Sequence, residues 1–135
     1  MAILRGFGRI PFEPTPRGYL PINEDSNVIK ANLLTLINTF EGERVMMPEY
    51  GSELDKKLFS PNTPNLHDDI KEIILNLIER WEPAIVVNDL TVGKPGLSQI
   101  GSDEDPDHIV YVRLEFALKT NLSLNETLEV LVPLA

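Results

Sequence analysis

Asp103, Asp105 and Asp107 stand at alternate positions, and alternating carboxylates are how an oxygen-ligand calcium loop begins. Such a loop next needs a glycine and later a chelating glutamate. His108 and Leu114 occupy those places, so the triplet reads as a solvated acidic loop tip. His67 and His108 are far apart and lack a cysteine or HExxH context, which leaves zinc chemistry without support. The chain contains no cysteine, and this removes disulfides, thiolate metal sites and cysteine nucleophiles together. Ser52 in EYGSEL lacks the trailing glycine of a nucleophile elbow. With Glu53 and Asp55 just after it, Ser52 is expected to cap a helix N-terminus. No catalytic residue, metal site or cofactor is therefore expected.

One enzymatic reading has a sequence basis. Glycoside hydrolysis needs two carboxylates, one of them a protonated acid. Glu41-Gly42-Glu43-Arg44 resembles the E-G-x-R around the acid glutamate of phage-type muramidases. In that family an aspartate follows near the position of Tyr50, and then a glycine-rich hairpin. Pro48, Glu49 and Gly51 replace the pattern here. The likeness covers four residues, and Gly42 is equally expected as a helix C-cap. A muramidase using Glu41 stays as the alternative function.

These groups must be carried by a small set of elements. Pro11, Pro14, Pro16 and Pro21 lack amide donors and push their predecessors out of the helical region, so residues 1–24 are expected to form an extended arm, distinct from a domain over 25–135. Its Ile3, Leu4, Phe7, Ile10, Phe12, Tyr19 and Leu20 are too apolar for a wholly solvated tail. The arm should pack on its own domain or on a partner. Asp25 or Ser26 can cap a helix running to about Phe40, with Ile29, Leu33, Leu36, Ile37 and Phe40 on one face. A shorter helical piece between Ser52 and Phe59 places Leu54, Leu58 and Phe59 on one side. Thr63 and Pro64 then supply an N-cap and a first-turn proline. The helix they open carries a stripe of Leu66, Ile70, Ile73, Ile74, Leu77, Ile78 and Trp81 up to the stop that Pro83 imposes at Glu82.

Beyond Pro83 the period changes. AIVVNDLTV suits a strand over about 84–92. In HIVYVRLEFALK the residues Val110, Val112, Leu114, Phe116 and Leu118 face one way, and Arg113, Glu115 and Lys119 the other. A third strand near 126–132 carries Leu128, Val130 and Val132, after a turn around Asn121 to Asn125. Helices followed by strands predict an α+β fold: two main helices and a short one packed on a three-stranded antiparallel sheet. A sheet this small has two edges, and an uncovered edge accepts a strand from another chain.

A length of 135 residues and an apolar fraction of 42% fit one domain with a modest core. No stretch approaches the roughly 20 apolar residues of a membrane-spanning helix, and no signal h-region is visible. The net charge of −9 divides into +2 on residues 1–22 and −11 on the rest. So acidic a body repels phosphates, which argues against nucleic acid as a partner. Nor is a membrane expected.

Residues 33–59, LLTLINTFEGERVMMPEYGSELDKKLF, resemble the signature of the small baseplate-wedge family that includes the sheath initiators of contractile phage tails. The shared pattern is a helix ending T-x-x-G-E-R, then P-x-Y-G, then a short helix closing in Leu-Phe. Thr39, Gly42, Glu43, Arg44, Pro48, Tyr50, Gly51, Leu58 and Phe59 fill it here. A second match follows the long helix, where the family has Glu-Pro-Arg and this chain has Glu82, Pro83 and Ala84. The resemblance implies that this tripeptide, with Arg44, grips the helical core of the wedge, and that Ala84 lacks the ionic part of that contact.

It further implies a structural, non-enzymatic wedge subunit in the tail baseplate of a virion, assembled in the host cytoplasm. The expected partners are tail sheath protein, other wedge proteins and, through the arm, tube or hub proteins. Sheath subunits would share strands with the sheet at Val110, Val112, Leu114, Leu128, Val130 and Val132. The equivalent subunit of a type VI secretion or phage-like injection machine remains an alternative setting.

Overall fold

The computed structural model describes residues 5–7, 16, 22–24, 26–57, 59–96 and 105–133. Asp25, Leu58, Asp103 and most of the expected arm lie outside them. From the arm itself, β1 (Arg5–Phe7) pairs antiparallel with β2 (Ile22–Glu24), setting Arg5 opposite Glu24 and Phe7 opposite Ile22.

Helix α1 spans Ser26–Asn38 and buries Val28, Ile29, Ala31, Leu33, Leu36 and Ile37, the stripe expected from a 3.6-residue period. It stops before Phe40, because the returning chain takes over its last carbonyls. The Ser52 hydroxyl donates to Ile37 O at 3.1 Å and the Ser52 amide to Thr39 O at 2.7 Å. Ser52 is wholly buried, so it finishes α1 instead of opening the next helix as expected. The orphan carbonyls of a helix end need partners of this kind. Gly42 does sit at φ +90°, yet in the turn after α1, four residues past its end, and not as its cap.

The short helical piece is a 3₁₀ turn, Leu54–Lys57, with Leu54 buried. Phe59 does not join Leu54. It is 85% exposed at φ +66°, turned outward where the chain bends toward Pro61. Helix α2 spans Pro64–Trp81, and the Thr63 side chain accepts from the Leu66 amide at its start. Its Leu66, Ile70, Ile74, Leu77 and Ile78 are buried.

The main sheet runs in the order β3 (Ile85–Gly93), β4 (Ile109–Leu118), β5 (Asn121–Pro133), all antiparallel. On β3 a one-residue bulge at Asn88 shifts the register between Val87 and Asp89. Ile85 and Val87 before it and Leu90 and Val92 after it all meet the core, although strict alternation would send the two pairs to opposite faces. On β5 residues 122–124 have no partner on β4, which places an irregularity where the turn was expected. The reversal itself is tighter, through Lys119 and Thr120. Both helices lie on one face, and Phe116, Val110, Ile70, Ile74 and Leu33 form the dry centre. The opposite face is polar: Tyr111 donates to Glu129 at 2.8 Å and Arg113 to Glu115 at 2.8 Å. This is the α+β architecture expected from the order of helices and strands.

Candidate partner-binding surfaces

Residues 39–52 form a knot that only a particular backbone permits. Phe40 bridges Ser52 in parallel, the Gly42 amide donates to Pro48 O at 2.7 Å, and the Tyr50 amide donates to Met47 O at 3.1 Å. At Gly51, φ is +122° and an added Cβ would stand 2.5 Å from Thr39 O, so glycine is required twice over. The Glu43 carboxylate accepts from the Phe40 amide at 2.8 Å. The T-x-x-G-E-R and P-x-Y-G positions are thus mostly used to close this loop. Arg44 and Tyr50 are what it displays.

The Arg44 guanidinium lies 4.5 Å from the centre of the Tyr50 ring. Tyr50 meets Trp81 edge-on at 5.1 Å, and the Arg80 guanidinium lies 4.9 Å from the Trp81 ring. Next in the chain is Glu82. Burial pushes its carboxyl above the usual range, partly offset by a hydrogen bond from Asn32. Burial also raises the Tyr50 phenol, with Arg44 pulling it down and Glu82 pushing it up, so Tyr50 links the two expected site residues electrostatically. Pro83 is exposed and Ala84 half-buried. Ala84 O accepts from the Lys119 amide at 3.0 Å, which ties the tripeptide to the β4–β5 turn. Between α2 and β3 lies an open groove of about 440 Å³ whose walls include Leu75, Ile78, Glu82, Pro83, Val87 and Lys119. Arg44, distant in sequence from the consecutive Glu82, Pro83 and Ala84, is therefore linked to the start of that tripeptide through Tyr50 and Trp81.

The six positions expected to share strands with sheath are placed differently. The side chains of Val110, Val112, Leu114, Leu128, Val130 and Val132 are all buried in the core. Strand β4 is paired on both sides, so Val110, Val112 and Leu114 cannot accept a new strand without breaking an existing pairing. Leu128, Val130 and Val132 lie on β5, an outer strand. An incoming strand would meet the backbone of β3 or β5, not those side chains.

Glu41 is exposed and borders a cavity of about 200 Å³ shared with Glu53, Arg80 and Trp81. Glu53 is held below the usual carboxylate range by a hydrogen bond from Lys56. Among the described residues no group of His, Asp and Glu is arranged to hold a metal ion, and no helix is long and apolar enough to cross a membrane.

Residues 23–122 match the family model of the baseplate wedge protein gp25. The chain belongs to the baseplate wedge family. Over 57 residues it is 37% identical to baseplate wedge protein gp25 of Enterobacteria phage T4, covering 42% of this chain and 43% of that protein. Over 70 residues it is 30% identical to baseplate protein W of Escherichia phage P2, covering 52% of this chain and 61% of that protein. The matched segments thus span less than two thirds of either relative.

Among solved structures, a Geobacter sulfurreducens protein provisionally named a tail lysozyme superposes with a TM-score of 0.70 at 19% identity, over 87% of this chain and 97% of the other. A chain of the anti-feeding prophage baseplate gives 0.62 at 17% identity, over 98% and 87%. One from the pyocin R2 baseplate after contraction gives 0.59 at 18%, over 86% and 99%. At such identities the likeness is one of fold. The wedge family is one of contractile-tail structural proteins, and the tail baseplate is where this member is located. Sequence reasoning missed the display of Tyr50 and Trp81 between two arginines. Trp81 reads as one more position of the α2 stripe, and nothing in the spacing joins it to Tyr50.

Proposed function

We propose that this wedge protein works without catalysis, as the template on which tail-sheath assembly begins, and that sheath subunits join it by strand addition to the main sheet. The observation that supports this reading most is β5. It runs thirteen residues, Asn121–Pro133, with β4 on one side and no further strand on the other among the described residues. A long outer strand with free amides and carbonyls receives an extended segment through backbone hydrogen bonds alone. The corner formed by Arg44, Glu82, Pro83 and Ala84 is assigned to other wedge proteins. With alanine at 84, that contact relies on shape and on Arg44.

Mixing the full chain with the sheath protein of the same tail tests the reading. Sheath polymer should appear sooner and from the wedge protein outward, while peptidoglycan assayed in parallel stays intact. Removing β5 is a poor control, because Leu128, Val130 and Val132 are core residues. A competing peptide with the sequence of the sheath's joining strand is better and should abolish nucleation. Sheath that polymerises equally fast without the chain, or peptidoglycan hydrolysis lost in Glu41→Gln, would refute the proposal.

A further inference from the structure

The loop that closes on Gly51 holds out a tip that its own fold does not use. Met46 is 97% exposed and Val45 86%, and Met46 sits at φ +66°, a left-handed conformation unfavourable for any residue with a side chain. Hydrogen bonds fix it there, from the Met47 amide to Arg44 O at 3.3 Å and from the Gly42 amide to Pro48 O at 2.7 Å. An apolar pair on a strained, well-tied turn gains nothing for the isolated chain.

Beside it stand Arg44 on Tyr50 and Arg80 on Trp81. Both arginines are exposed. In a body of charge −11, neither forms an ion pair with a carboxylate among the described residues, whereas Lys30, Lys56, Lys57, Lys94 and Arg113 all do. Stacking on a ring restricts a guanidinium and leaves its donors pointing outward. Met, Arg, Tyr and Trp are also the residue types enriched in the buried centres of protein interfaces.

From this we infer that Arg44, Val45, Met46, Tyr50, Arg80 and Trp81 form a docking surface that is separate from the sheet edge and extends the corner at Arg44 and Glu82. Its occupant is a protein with an apolar pocket for Met46, rimmed by carboxylates that pair with Arg44 and Arg80. The two guanidiniums select a partner by its carboxylates, and the net charge of −9 that every copy of this chain carries opposes a second copy as that partner. The inference rests on the structural reading above and names the chemistry of a baseplate neighbour.

A benzophenone amino acid replacing Met46 in the full chain, within purified assembled tails, tests it, with a second probe at Leu131 beside the sheet edge. The Met46 probe should crosslink to a baseplate protein other than sheath, at an apolar residue flanked by Asp or Glu. Combining it with Arg44→Gln and Arg80→Gln should lower the yield about tenfold, with an unchanged circular dichroism spectrum showing that the chain still folds. No crosslink from Met46, a crosslink to sheath, or a yield indifferent to the two glutamines would overturn the inference. The Leu131 probe reads the sheath role independently. Sheath crosslinks there with none at Met46 sink this surface alone, and the reverse sinks the sheath role alone.

Discussion

A Cβ at Gly51 would stand 2.5 Å from Thr39 O and 2.8 Å from the Phe40 carbonyl carbon, and these are backbone atoms that cannot swing aside as the end of a side chain could. Gly51→Ala should therefore destabilise the fold by about 2 kcal/mol or more, read as a lower urea midpoint. An unchanged midpoint would mean that the knot is not built as described. Met46 offers the converse test. Met46→Gly relieves a left-handed side chain and should leave stability equal or higher by about 0.5 kcal/mol, while weakening tail assembly. Glu82 carries a pH signature. Burial raises its carboxyl, so the folded chain binds this proton more tightly than the unfolded one. Its contribution is fully present below the ordinary carboxylate range and is lost as pH rises through the folded value. Glu82→Gln should flatten the fall in stability across the mildly acidic range. A wild-type profile in the glutamine variant would contradict the assignment.

At the scale of elements, periodicity carried most of the fold. The stripe from Leu66 to Ile78 needs only a 3.6-residue repeat to be read, and Thr63 with Pro64 marks its start by local chemistry. Thr63→Ala should cost α2 about 1 kcal/mol in thermal unfolding, and a null effect would show that the 3.5 Å contact to the Leu66 amide contributes nothing. What the sequence concealed depends on tertiary closure. Ser52 looks like an N-cap from its acidic followers, yet its hydroxyl reaches back fifteen residues to Ile37. The bulge at Asn88 reverses the alternation of β3, and its side chain bonds to Asn125 of β5 at 2.9 Å, a pairing no local pattern announces. The candidate site divides the same way. Glu82 and Pro83 were legible as a helix stop, but the link from Glu82 to Arg44 through Tyr50 depends on the loop closing on Gly51.

For the whole molecule, the two helices cover one face of the sheet and the other carries side-chain bonds such as Tyr111 to Glu129 and Arg113 to Glu115, so the backbone bonding capacity left among the described residues lies at the edges. Among the described residues, β4 is paired on both sides and β5 on one. On the proposed role, a single hydrophobic core holding all three strands would keep the template rigid before a partner arrives, and addition would then order only the incoming segment. The measurement closest to this claim is hydrogen exchange along β5 in the intact chain, free and bound to its sheath protein. The account predicts that every second amide between Thr127 and Pro133 exchanges readily when free and becomes protected on binding, while the amides of β4 are protected throughout. Sheath that binds without slowing exchange in β5 or β3 would contradict it.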